Sequence, residues 1–369
     1  MKSRFLRVLF SVGLAGGSVF GLLAVLGLWN AAPPPAYAQG GTGTIRVALS
    51  GADAPGCGSV ITPCRTVQYA VDQASNGAAI LVAAGVYTDV SPRVNVVGSV
   101  VLSQVVFISK TVIVRGGYSA GNWSASDPVA NPTILDAQGK GRVVVISGTA
   151  SPTLENLALT GGDGPAAGPD ENCCGGLLVV QSSATISGCR IYSNTGRAAG
   201  GGAFYLSPAT VRASVVASNV ASSEYGGGMA IWASDGFVLD RNRIFNNRAE
   251  KGGGGVDVYE SDGSISANEV WNNRALTENG GGLHISDGSD ANVTSNVVYA
   301  NFAADGGGGI VVFSNTAAVE NNLVFSNTAG NRGGGLALIN SRATVVSNTI
   351  RSNSAAEEGG GVCVDQSQS

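Results

Sequence analysis

The sequence predicts an all-β chain built as a parallel β-helix, in which one polypeptide winds through three short strands per coil and stacks coil on coil. Three observations carry that prediction. Glycine clusters recur with last members Gly176, Gly202, Gly228, Gly255, Gly282, Gly309, Gly335 and Gly361, each 26 or 27 residues from the one before. A fixed period of that size marks stacked repeats rather than loose low complexity. Within each period apolar residues alternate at every second position, the spacing of a strand with one buried face. Asparagines keep the same phase from unit to unit in two columns.

The first residues read as an address. Lys2, Arg4 and Arg7 precede an uncharged apolar run from Val8 to Trp29, and Ala36-Tyr37-Ala38 sets small residues at a cleavage site. Residues 1–38 are therefore expected to be an export signal, with a membrane anchor as the alternative because the run is long enough to span a bilayer. Either way the remainder is secreted or held at the cell surface. Cleavage removes three positive charges and no negative one, taking the formal net charge from −4 to −7. That sign argues against a nucleic-acid partner.

Six cysteines in an exported chain are expected to bridge rather than stay free. Cys57 and Cys64 close the short loop CGSVITPC and are assigned to each other. Cys173, Cys174, Cys189 and Cys363 leave several pairings open, although adjacent cysteines rarely bridge each other. One histidine and no CxxC pair do not make a zinc site.

Residues 39–78 form an N-terminal cap. Val67, Ala70, Val71 and Ala74 fall at i, i+3, i+4 and i+7 and predict a short amphipathic helix ended by Gly77. Such a helix covers strand backbone left unpaired at the open end of a stack. The β-helix then occupies residues 79–369, irregular at first and regular from about residue 175.

In the regular coils the first and third residues after each cluster form the inward face of one strand, as in Leu177/Val179, Ala203/Tyr205, Met229/Ile231 and Val256/Val258. A second apolar column runs through Ile186, Val211, Leu239 and Ile265, and a third through Ile191, Val216, Ile244 and Val270. The columns Asn242, Asn268, Asn296, Asn322, Asn348 and Asn194, Asn219, Asn247, Asn273, Asn301, Asn327, Asn353 sit at turns. Stacked at about 4.8 Å, their amides can donate and accept along a ladder, and asparagine tolerates left-handed turns. Both columns are read as architecture.

The cap helix followed by AAILVAAGVYTD, the segment GGYSAGNWSASDPVANPTILDAQGKGRVVVISG and the coils with GGG and N-x-[IV]-x-x-N resemble the right-handed parallel β-helix proteins of the pectin-lyase-like superfamily, including polymorphic outer-membrane-protein-like repeats. The resemblance covers nearly everything after residue 43. It implies a right-handed, single-stranded parallel β-helix and leaves function open, because this fold hosts lyases, hydrolases and adhesins.

The outward faces supply the functional candidates. Residues two and four past each cluster include Asp257, His284 and Trp232, Tyr259, Ser286, Phe313, an apolar face with one Asp/His pair. Beyond the third strand column stand Phe245, Trp271, Tyr299 and Phe325. Aromatic faces repeated along a rod can stack on sugar rings, and packing on one another is the competing role. Glu278 and Asp305 occupy adjacent places in an acidic turn column, where two carboxylates can recruit a cation such as Ca²⁺. Asp257 and His284 are the only catalytic alternative, and nothing supplies an oxyanion hole for a Ser286 triad. The family's Asp-rich, Gly-His-Gly and paired-arginine enzyme motifs are absent.

The expectation is therefore an exported, non-catalytic rod that binds polysaccharide or cell-surface glycan, or acts in adhesion, with no resident cofactor beyond such a Ca²⁺. The alternative is a polysaccharide lyase or glycoside hydrolase. The sequence closes on GGGVCVDQSQS, one strand into a coil, and that open edge is expected to offer a surface for self-association.

Overall fold

The computed structural model describes residues 43–94, 101–164 and 173–366; the expected export signal lies outside them. The chain is a right-handed β-solenoid whose strands pair in parallel with their equivalents one coil away, apart from Ser91–Val94, which pairs antiparallel with Val101–Ile108 at the end of one sheet. Four sheets run along it, with 11, 11, 10 and 7 strands. The first sheet holds the strands that follow the glycine clusters, such as Val256–Tyr259 and Leu283–Ser286. Gly263–Ser266 and Glu269–Trp271 represent the second and third sheets.

The fourth sheet corrects the three-strand reading. Two-residue strands such as Arg248–Ala249 and Arg274–Ala275 pair with one another after the second asparagine column. Two residues are too short to show an alternation, so periodicity could not reveal them. Their buried alanines close the fourth wall of the core.

One coil also departs from the predicted spacing. Gly202 pairs with Leu177 and Met229, so it already occupies the strand, and Gly201 is the equivalent of Gly176 and Gly228. Phe204 therefore points into the core, whereas Ala203 and Tyr205 belong to the outer face. The glycine run hid this shift because three identical residues carry no phase.

The turns follow one rule. Glu260, Ala267 and Asn272 take left-handed φ of 46°, 54° and 52°, and each is followed by a buried polar residue, Ser261, Asn268 or Asn273. The left-handed residue thus precedes the ladder residue, rather than being the ladder asparagine itself. Asn273 donates from its backbone N and its Nδ2 to Oδ1 of Asn301, both at 3.0 Å, and from Nδ2 to the Ile244 carbonyl at 2.9 Å. A buried amide left without a partner costs about 1–3 kcal/mol, so the ladder satisfies backbone that no water can reach. A serine ladder through Ser207, Ser234, Ser261 and Ser289 does the same work at the first turn.

The capping helix forms, but it ends at Gln73 with Ala74 as its C-cap rather than running to Gly77. The helix Val67–Gln73 starts at Thr66, whose side chain accepts from the Tyr69 N–H, and buries Val67, Ala70 and Val71 against the first strands. Lys110 Nζ donates to the carbonyls of Val71, Asp72 and Ala74, which satisfies the helix's C-terminal end. Cys57 and Cys64 are bridged. At the far end Val345, Val346, Val362 and Val364 are exposed.

Candidate functional site

The structure gathers a polar seam across three consecutive coils on the outer face of the first sheet. Strand pairing sets Asp257 beside His284, and Nδ1 of His284 lies 2.6 Å from Oδ1 of Asp257. The other carboxylate oxygen accepts from Trp232 Nε1 at 2.9 Å, one coil earlier. Asp257 is 2% exposed, Trp232 4% and His284 7%. A carboxylate so enclosed persists only with its oxygens bonded, and here each has a donor.

Tyr225 closes the seam from outside. Its ring lies over that of His284, with centroids 5.7 Å apart and planes 11° from parallel. Its hydroxyl donates to Glu278 Oε2 at 2.6 Å, while Lys251 Nζ stands 5.2 Å from its centroid and 2.6 Å from Glu224 Oε2. Burial and then the Glu278 carboxylate hold the Tyr225 phenol well above its usual range. Burial, with Glu260 and Asp287 next, pushes Tyr259 up to about 12. Burial also raises Asp287, against the pull of His284.

Glycine makes this closure fit. Gly280 has φ +72°, and a Cβ there would stand 2.7 Å from the Cβ of His284. Gly252 faces the Tyr225 ring, 3.1 Å from where its own Cβ would be. Tyr225 was not among the sequence candidates. The available signal was a lone aromatic residue ahead of its glycine cluster, with glycine at the equivalent place in the next coil.

The other candidates divide. Ser286 is buried and its hydroxyl donates to the Val258 carbonyl at 3.3 Å, which directs it away from a nucleophile's role. Glu278 and Asp305 are stacked neighbours through their backbones, but Glu278 reaches back to Tyr225 and Asp305 accepts from Asn331 Nδ2 at 3.0 Å. Among the described residues no cluster of three or more His, Cys, Asp or Glu is placed to hold a metal ion. Tyr259 and Phe313 are half-buried and separated along their column by Ser286.

Phe245, Trp271, Tyr299 and Phe325 are brought together in register on the third sheet. Their rings stack on one another at centroid distances of 4.2, 5.9 and 4.9 Å, with planes within 13° of parallel. Arg351 lies over the last ring at 4.8 Å, and Arg243 lies 5.2 Å from Trp271 while bonding Glu269 at 3.4 Å. The ring faces thus meet each other, and the outer edges of half-buried rings meet solvent.

For the regular coils, a known protein family agrees with this architecture. The family model for the right handed beta helix region matches residues 175–354. No curated protein matches the chain. A solved pectate lyase, Pel9A, is similar over 87% of this chain and 82% of its own, at 15% identity and a TM-score of 0.49.

Proposed function

We propose that this chain, whose regular coils are right-handed β-helix repeats, is a non-catalytic rod at the cell surface or in the exterior that binds an extended polysaccharide along its third sheet. The observation that carries the reading is the aromatic ladder of Phe245, Trp271, Tyr299 and Phe325, half-buried and flanked by Arg243, Glu269 and Arg351. Amphipathic surfaces with this mix of apolar edge and fixed polar groups suit sugars, which present C–H faces and hydroxyls together. The stacking of ring on ring, at about 0.5–1.5 kcal/mol per pair, makes the stripe rigid before any ligand arrives. Contact is then made by ring edges, the Tyr299 hydroxyl region and the flanking charges rather than by free ring faces.

Catalysis finds less support. His284 and Asp257 are enclosed beneath Tyr225, so no exposed acid and base stand side by side over a groove there. A cation such as Ca²⁺ is proposed for the acidic turns around Glu278 and Asp305.

The test is retention of the purified chain on a panel of immobilised polysaccharides, with and without Ca²⁺, while newly released reducing ends are monitored. Retention that falls at least tenfold in Trp271→Ala, with no new reducing ends, is the expected result. Release of reducing ends, or no retention on any neutral or acidic glycan, overturns the reading.

A further inference from the structure

Where the chain enters the first regular coil, Sγ of Cys173 lies 3.3 Å from Sγ of Cys174. The two thiols differ in access. Cys173 is half-buried, whereas Cys174 is buried with Leu102, Phe107, Val145 and Leu178. The backbone holding them is fixed: the Cys173 carbonyl accepts from the N–H groups of Ala198 at 2.9 Å and Ala199 at 2.5 Å, and Cys174 bridges to Ala199. The other cysteines outside the Cys57–Cys64 bridge lie elsewhere, Cys189 within the inner core beside the carbonyls of Leu154 and Ser187, and Cys363 on the last strand.

We propose that Cys173 and Cys174 form a redox-active dithiol that closes reversibly into a disulfide between adjacent residues by exchange with a small-molecule disulfide. The Cys173 thiolate, the reachable one, attacks a sulfur of the external disulfide, breaking that bond and releasing one thiol. The Cys174 sulfur then attacks Sγ of Cys173, losing its proton and expelling the second thiol. The protein loses two protons and two electrons, and the external disulfide becomes two thiols.

The same geometry makes the bond labile. Adjacent Cα atoms are about 3.8 Å apart, below the roughly 4.4–6.8 Å of ordinary disulfides, and a bond closed outside that range is the more easily reduced. Cys57 and Cys64, with Cα atoms 4.9 Å apart, lie inside it and form the lasting crosslink. Burial raises the Cys174 thiol well above its usual range, while the nearby Arg142 guanidinium acts the other way. Cys174 is therefore suited to the second, intramolecular step, in which it resolves the mixed disulfide held beside it, rather than to starting the first.

The test equilibrates the whole chain in glutathione buffers of graded ratio, alkylates free thiols, and maps peptides with fragmentation that separates Cys189 from the pair. Under oxidising ratios the 173–174 unit should lose two hydrogens and carry neither alkyl group nor glutathione. It should reopen at a less reducing ratio than Cys57–Cys64 in the same sample. In Cys174→Ser, glutathione should persist on Cys173, because the resolving sulfur is gone. Two alkylated thiols at every ratio, a lasting glutathione adduct on the unmodified chain, bridging of either residue to Cys189 or Cys363, or no adduct on Cys173 in the variant would each overturn the proposal.

Discussion

Nδ1 of His284 and Oδ1 of Asp257 stand 2.6 Å apart on neighbouring strands, buried beneath the ring of Tyr225. Their pairing is a structural tie between coils. His284→Ala leaves Asp257 with one of two oxygens unserved and should cost about 1–3 kcal/mol, read as a lower urea midpoint. Asp257→Ala should cost at least as much, because it strips partners from both His284 and Trp232. The double variant should lose less than the sum, and strict additivity would show that the contact carries no coupling.

The two kinds of tryptophan should separate in experiment. Trp232 is buried and donates to Asp257, so Trp232→Phe should lower stability by about 1 kcal/mol or more and leave glycan retention unchanged. Trp271 lies in the half-buried ladder and should show the reverse weighting. Equal effects of both on retention would remove the third sheet from its proposed role.

Glycine in this chain serves conformation and clearance, and the two can be told apart. Gly288 has φ +78° with nothing within 4 Å of an added Cβ, so Gly288→Ala should cost about 1 kcal/mol. Gly280→Ala meets the same backbone penalty and the His284 side chain besides, and should cost at least about 1 kcal/mol more. Thermal unfolding of the two variants measures the difference.

The asparagine ladder predicts a sharp contrast between neighbours. Asn273→Ala removes the acceptor for two donors of Asn247 and should destabilise by about 2–4 kcal/mol. Asn272, exposed and left-handed at φ 52°, should tolerate glycine within about 0.5 kcal/mol. Denaturant unfolding that ranked these two the other way would refute the turn rule.

Alkaline pH should expose the tyrosines of the seam. Burial raises Tyr225 and Tyr259 in the folded chain, so above the ordinary phenol value of 10.0 the unfolded chain ionises while the folded one does not. The unfolded state then binds fewer protons, and stability falls as pH rises. Ultraviolet titration should show several phenols ionising late, Tyr225 and Tyr259 together with Tyr87, Tyr205 and Tyr299, with stability declining from about pH 10 upward. Tyr225→Phe should make that decline shallower.

The architecture was legible in the sequence because a solenoid repeats its own environment. Each inward position meets its equivalent one coil away, so a column of valines and isoleucines reads as core without knowledge of any distant contact. The cap helix and the Cys57–Cys64 bridge were legible for the related reason that both are local. Where residues are uninformative, as in the glycine run before Phe204 or the two-residue fourth strands, the same reading lost register or missed an element.

Outside the coil at Gly202, the sequence by itself determined the repeat, the inward columns, the asparagine ladders and which residues share each outward face. Only the tertiary structure decided what those outward residues do. Whether a ring face is free depends on the side chain one coil away, and here Trp271 is stacked on both sides. Whether His284 is reachable depends on Tyr225, which lies 59 residues earlier in the chain yet stacks on its ring. Periodicity fixes the direction in which a side chain points; rotamer and neighbour fix what covers it, and those are settled only when the coils pack.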